Sequence, residues 1–495
     1  MPAVIAIDQG TTGSKAYRLE ADGSFSSLGG FEHRQIYPQP GWVEHDAREL
    51  LDHLRRLIGR AGDAAALGID NQGETVVAWD GDSGEPLGNA IVWQDARTLP
   101  LIERLKAEGA EELTVARAGL PLDPYFSASK LNWIIEELPE AKRLLARGRL
   151  RLGTSDSFFL DRLSGTYATD VTTASRTSLM DLKTGEWDPE LCRLFGVPGD
   201  CLPEIRPSAG DFGSVGRLPL RASLVDQQAA LFGHGCRHPG RAKITFGTGA
   251  FALVVAAGEV GPQSAAGMNR SVAWRIGEGP IVYALEGGIY DAASAVNWAR
   301  GLGLFGEFSE IEGFVNASAL ERGLVFVPAL SGLSCPYWDR NAAGLWLGMG
   351  LETTRADMMQ AVLEGIALLA TEVIDTMHRA APIEGAISVD GGLTKNRYFC
   401  DFLARALQRA VQVPDSADLT GLGCAQMTMI GAGMVLPERL PPAPPARLLA
   451  KPEPPLEQGA RDRFDEAVAR ARNWRQGLFP AKKRGNSESR PDDVD

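Results

Sequence analysis

Two short turns rich in glycine and hydroxyl groups, each set between apolar runs, constrain this chain more than any other feature. The first follows Ala3-Val4-Ile5-Ala6-Ile7-Asp8, an apolar run ending in an acid, and reads Gln9-Gly10-Thr11-Thr12-Gly13-Ser14-Lys15 before Ala16-Tyr17-Arg18-Leu19. Apolar runs this short, bounded by turn residues, predict buried strands. The second turn, Gly247-Thr248-Gly249, lies between Lys243-Ile244-Thr245-Phe246 and Phe251-Ala252-Leu253-Val254-Val255 and repeats that layout. Gly10 and Gly247 are 237 positions apart in a chain of 495 residues, which predicts two related halves, each opening with a hairpin. Facing one another, the two turns would offer backbone N–H groups and threonine hydroxyls to phosphates across a cleft.

Composition narrows the partners. With 44% hydrophobic and 23% charged residues the chain is an ordinary globular one. Its 50 basic and 63 acidic side chains give a net charge of −13, the wrong sign for nucleic acid or anionic lipid. The longest strongly apolar stretch, Gly249 to Gly258, is about half of the ~20 residues that span a bilayer, so no membrane insertion is expected. Met1 to Gln9 carries an acid and no base, which argues against a secretory signal. The six cysteines show no CxxC spacing and suit reduced thiols, hence a cytoplasmic location.

Between and beyond the turns the pattern is mixed α/β. Leu131, Ile134, Ile135 and Leu138 share one face of a helix expected over Ser129 to Glu137, and a stronger period runs from Arg355 to Ala381. Leu440 to Leu456 is Pro-rich and reads as a surface connection before a final helix, Arg461 to Arg475. The division expected is residues 1–233, residues 234–478 and a polar, disordered tail over residues 479–495.

Asp8 at a strand end can hold Mg²⁺ through water, while Thr11, Thr12, Ser14 and the turn amides take phosphate oxygens and Lys15 adds positive charge. Taken alone, such a turn is also compatible with a hairpin under no functional demand; its partner at Thr248 weighs against that. Gly247 to Ala252 also fits GxGxxA, but a dinucleotide-binding loop opens a helix, whereas a β-branched run follows here. A third turn, Gly391-Gly392, permits close approach of a flat ligand such as adenine, and Asn396 behind it is either part of that site or a plain N-cap. Polar anchors and aromatic walls for a small polar substrate cluster in Gln72-Gly73-Glu74, Trp93-Gln94, Pro124-Tyr125-Phe126 and Phe251. Asp226, in an otherwise apolar and amide-rich stretch, could accept a hydroxyl proton. His234 to His238 lacks further ligands and reads as a loop, and nothing suggests a Ser-His-Asp triad.

Taken together these residues resemble the FGGY family of carbohydrate kinases, most closely its glycerol-phosphorylating branch, over nearly the whole chain. The strings that carry the resemblance are Ala6 to Thr12, Gln35-Ile36-Tyr37-Pro38-Gln39-Pro40-Gly41-Trp42-Val43-Glu44-His45-Asp46, Asn89 to Gln94, Asp123 to Ser127, Asp226 to Gly233 and Pro336-Tyr337-Trp338-Asp339; Tyr125 to Glu137 and Gly344 to Glu364 are similar to the family's two signatures. The resemblance implies a two-domain actin/hexokinase-like fold with ribonuclease-H-like cores flanking a cleft. It implies ATP and Mg²⁺ as cofactors and a polyol or sugar as the other substrate. Assembly as a homodimer or tetramer is a further expectation. By motif, Thr11, Thr12, Lys15 and Thr248 fall on phosphate-contacting positions, Lys15 standing where an Arg is usual; Gly392 and Asn396 fall on the adenosine side; Asp8 matches the metal-linked acid. Glu74, Trp93, Tyr125, Asp226, Gln227 and Phe251 match polyol-contacting positions, with Asp226 as the catalytic base for transfer from MgATP to a terminal hydroxyl.

Two departures bear on the substrate and a third on regulation. The family's Asn-Gln-Arg-Glu-Thr is here Asn71-Gln72-Gly73-Glu74-Thr75, so a guanidinium that grips glycerol hydroxyls is missing. A hydrogen bond to a charged group contributes ~1.5–3 kcal/mol, so its uncompensated loss weakens glycerol roughly ten- to a hundredfold, and the vacancy is expected to enlarge the pocket. Asp70 stands where Thr is usual. Either another side chain replaces the guanidinium and glycerol is the substrate, or the substrate is longer, a tetritol such as erythritol or threitol or a ketopentose such as xylulose or ribulose. The short segment Gly210 to Val225 lacks a glycine-rich loop that receives a sugar-bisphosphate inhibitor in relatives, which implies weak or absent regulation of that kind. A non-kinase actin-like ATPase shares the cleft and is the alternative of another class.

Overall fold

The computed structural model describes residues 3–476 apart from Ser264, Ala266, Ala417, Pro442, Ala443 and Glu453; the expected tail over 479–495 lies outside the described residues. In the first half, strands β1 (Val4–Gln9), β2 (Gly13–Leu19), β3 (Phe25–Glu32), β4 (Ala66–Asn71) and β5 (Leu218–Val225) form a sheet in the order β5-β4-β1-β2-β3, with the two-residue strand Ser214–Val215 beyond β5. β1, β2 and β3 are antiparallel neighbours, whereas β4 and β5 run parallel to β1. In the second half, β6 (Ala242–Phe246), β7 (Ala250–Val255), β8 (Asn269–Trp274), β9 (Val282–Ile289), β10 (Ile387–Gly391), β11 (Val411–Pro414) and β12 (Ala446–Ala450) follow the order β8-β9-β7-β6-β10-β11-β12. Its inner five strands, β9-β7-β6-β10-β11, repeat the first sheet: three antiparallel, then two parallel. The halves inferred from the two turns are thus one topology used twice.

Alternation on the strands sorts the cores. Ile5 and Ile7 of β1 face a cluster with Leu50 and Leu54 of α1 (Ala47–Ile58), Ile69 and Phe158, while Val4 and Ala6 face the opposite cluster with Leu224, Phe232, Leu253, Val255 and Met427. That second cluster joins both halves. It contains α3 (Asp226–Gly233) and α6 (Leu419–Gly431), which cross with backbones nearly touching: a Cβ at Gly423 would lie 1.9 Å from the Ala229 carbonyl oxygen, and one at Gly233 2.0 Å from that of Leu419. Between α1 and α3, α2 (Ser127–Glu137) begins two residues before the sequence period does. α4 spans Arg355–Ala380 and α5 spans Arg397–Leu407.

Two expectations need correction. The final helix, α7, spans Gln458–Ala471 rather than Arg461 to Arg475. The Pro-rich connection carries the strand β12, antiparallel to β11 at the sheet edge, in the proline-free stretch Ala446–Ala450. The segment before β5 is a short irregular stretch, residues 210–213, followed by a hairpin in which Val215 pairs with Leu218 around a two-residue turn.

Candidate active site

Parallel register brings the first-half residues to one edge. Asp8 pairs with Asp70, and both Gln9 and Val225 pair with Asn71, so the carboxyl ends of β1, β4 and β5 deliver the Gly10 turn, the Gln72-Gly73-Glu74 loop and Asp226 side by side. This is the edge at which open α/β sheets bind ligands. In the second half Phe246 pairs with Gly391, which sets the Gly247-Thr248 turn beside Gly391-Gly392. Gly391 has φ +94, and a Cβ on it would meet the Phe246 carbonyl oxygen at 2.1 Å; Gly392 faces open space. The second turn is held from below by the Ala292 and Ser294 amides, which donate to the Thr248 carbonyl at 2.9 and 3.1 Å.

Asp226 opens α3 directly after β5. Desolvation, then the charges of Glu74 and Asp8, raise its pKa to about 7, while Lys243 pulls the other way. The carboxyl therefore feels the charges of two acids from the first half, Glu74 and Asp8, and of a lysine from the second. Lys243 Nζ donates to Gln227 Oε1 (2.8 Å) and Thr245 Oγ1 (2.9 Å). An ammonium has only donors, so the Gln227 oxygen must face the lysine, which leaves its amide N–H groups for a ligand.

Behind the first turn Asp8 and Asp70 lie in register on neighbouring strands. Asp70 is fully buried and neither oxygen has a hydrogen-bond partner among the described residues; burial and the Asp8 charge push its pKa well up. Burial raises Asp8 to about 6, against the pull of its Asp70 contact and of Lys15. Lys15 is exposed and lies 3.8 Å from Asp418, which also accepts from the Tyr17 hydroxyl at 2.7 Å.

Thr11 is fixed at both ends. Its Oγ1 accepts from the Trp93 indole at 3.0 Å, and its carbonyl oxygen is 2.8 Å from both His33 Nε2 and Gln35 Nε2. His45 Nε2 faces Gln35 Oε1 (2.9 Å) and Gln72 Nε2 faces His45 Nδ1 (3.1 Å). Donors and acceptors then fall in one order only: Gln72 donates to His45, His45 to Gln35, and Gln35 to Thr11. Burial lowers the His45 pKa to about 3, which keeps the ring neutral and the relay intact. Gln35 and His45 belong to a string that carried only resemblance in the sequence; its chemistry is to tie the Gln72 loop to the first turn. Thr12 and Thr248 are exposed on their turns.

The aromatic wall forms in part. The Trp93 and Tyr125 rings meet edge to face at 5.5 Å, and Phe251 is half-buried on β7 opposite Thr245. Lys130 of α2 donates to three successive carbonyls, Pro124 (2.9 Å), Tyr125 (2.6 Å) and Phe126 (3.0 Å), which fixes the Tyr125 turn. Glu74 takes φ +59, a left-handed backbone uncommon for such a residue. Its carboxylate is buried against Arg176, whose Nε donates to it at 2.6 Å. Asn396 caps α5, accepting from the Phe399 amide (2.8 Å) and donating to the Ile311 carbonyl (2.6 Å), so its amide serves the helix start behind Gly392.

Val225 crowds the backbone at Gly73. A Cβ there would lie 2.6 Å from Val225 Cγ2: the valine fills the space. Arg176, Lys243 and Asp70 were not assigned roles from sequence. For Arg176 one signal existed, a single charge in the uncharged run Val171 to Leu179.

The N-terminal domain of the FGGY family of carbohydrate kinases matches residues 3–233 and its C-terminal domain residues 242–432. A glycerol kinase of Thermus brockianus is 41% identical over 96% of this chain and 99% of that protein; one of Geobacter sp. (strain M21) is 42% identical over 88% and 91%. Among solved structures, Plasmodium falciparum glycerol kinase with ADP is 29% identical with a TM-score of 0.86, covering 95% of this chain and 98% of that one. A ligand-bound xylulose kinase from Lactobacillus acidophilus, 20% identical with a TM-score of 0.84 over 95% and 96%, shares the fold.

Proposed function

The chain belongs to the FGGY family of carbohydrate kinases, and on that premise we propose that it transfers the γ-phosphoryl group of ATP to a terminal hydroxyl of glycerol. The observation that supports this reading best is Asp226, which opens α3 at the carboxyl end of β5, at the same sheet edge as the Asp8 turn and the Glu74 loop, with its pKa raised to about 7. Near neutrality such a carboxylate is a base matched to its task. It orients the attacking hydroxyl and accepts its proton as the oxygen moves on phosphorus, with Gln227, Trp93, Tyr125 and Phe251 confining the polyol. The amides and hydroxyls of Thr11, Thr12 and Thr248, with Lys15, bind the phosphates; the Gly392 turn, fixed by the Asn396 cap, gives adenosine its flat approach. Donorless oxygens on Asp70 and the acid of Asp8 fit a cation, and Asp8 would hold the Mg²⁺ of MgATP through water, where it would neutralise phosphate charge.

Residues 1–233 then form the polyol and phosphate side and residues 234–478 the nucleotide side. Val225 leaves no room for a side chain at position 73, which supports a short polyol such as glycerol over a tetritol or ketopentose. A coupled ADP-release assay on glycerol, erythritol, threitol, xylitol, xylulose and ribulose tests the reading. Glycerol should stimulate release most; a ketose preference, or a slow rate indifferent to every polyol, would contradict it. A cytoplasmic homodimer or tetramer is the accompanying expectation, checked by light scattering.

A further inference from the structure

Gly73 removes a guanidinium from the polyol loop, yet a guanidinium lies against Glu74. Arg176 reaches it from 102 residues away, at 2% exposure. Its Nε donates to Glu74 Oε1 at 2.6 Å and its Nη2 to Glu286 Oε1 at 2.9 Å. Nη1 lies 2.7 Å from Glu286 Oε2 at ion-pair distance without hydrogen-bond geometry, and has no other acceptor among the described residues. The guanidinium carbon is 5.7 Å from the centre of the Tyr125 ring. Arg176 therefore bonds Glu74 and lies near the Tyr125 ring, and of its five N–H donors some remain unused.

Position 73 cannot supply the same group. With Val225 Cγ2 at 2.6 Å from a Cβ there, any side chain must displace the valine. We propose that Arg176 is the hydroxyl-gripping guanidinium of this polyol pocket, paired with Glu74, and that Val225 closes the route from position 73. The assignment rests on the kinase reading above and deepens it. One hydroxyl donates to Glu74 while its neighbour accepts from Arg176, a pairing suited to adjacent hydroxyls on a short polyol. Glu286, on β9 of the second half, holds the far side of the fork, so the second half orients the donor that binds the substrate.

Arg176→Lys tests this, because it keeps a charge for both glutamates but loses the planar fork. The KM for glycerol should rise about tenfold or more, with kcat and the KM for ATP within about twofold. Adding Gly73→Arg together with Val225→Ala should bring the glycerol KM back toward wild type, a rescue that a packing role would not show. A glycerol KM that stays unchanged, one that rises together with the ATP KM, or absence of rescue overturns the assignment. Should Arg176→Lys fail to fold, Arg176→Gln with Glu286→Gln removes one charge of each sign and the same KM split is read. Wild type assayed alongside separates the two ideas: no polyol-dependent ADP release defeats the kinase reading, whereas wild-type turnover with an indifferent Arg176→Lys defeats this assignment alone.

Discussion

At the scale of single residues, the site works by placing charges where water cannot screen them. Asp226 is raised to about 7 by desolvation and by the acids flanking it, and a base is active only when ionised. Below that value the carboxyl is protonated and cannot accept, so kcat/KM should fall about tenfold per pH unit below about pH 7 and level off above it. A pH–rate profile for the free enzyme checks this; a flat profile between pH 5.5 and 8.5 would remove Asp226 as the titrating base. The residue types of the site were legible because they sit in turns with little else to explain them: Asp8, Thr11, Glu74 and Asp226 all lie at strand ends. Arg176 was not, since an ion pair across 102 positions leaves no spacing to read. Nor was Val225, because a valine ending a strand looks the same whether it fills a core or replaces a missing side chain.

At the scale of elements, conserved-looking strings resolve into anchors. Glu364, in the middle of α4, accepts from the Ala319 (2.9 Å) and Leu320 (2.8 Å) amides and from Ser318 (3.1 Å), with the Tyr398 hydroxyl as a further donor. Burial raises its pKa to about 7. Glu364→Ala should cost roughly 1–3 kcal/mol for each buried amide left unpaired and lower Tm clearly, with Glu364→Gln milder; calorimetry of both variants decides it, and an unchanged Tm in the alanine variant would contradict the anchoring role. Strong helical period located α4 to within a residue at its end. α7 was displaced because its first turn, from Gln458, carries no apolar stripe, and β12 was missed because the prolines on both sides of Ala446–Ala450 read as a connection although none lies within the strand.

At the scale of the molecule, one five-strand topology used twice places two turns at two carboxyl edges, and α3 with α6 joins the halves through a glycine crossing. The duplication was legible because the turn motif itself is repeated. The crossing was not: α6 is apolar on nearly every side, so its pattern says that it is buried without saying against which half. On the proposed reading the whole arrangement serves one carboxylate, Asp226, which readies a substrate hydroxyl for the phosphate. The most direct measurement is therefore turnover of Asp226→Asn with glycerol alongside its affinity for MgATP. The account predicts a loss of ~10²–10⁴ in kcat with MgATP bound as tightly as in wild type; wild-type turnover in that variant would contradict it.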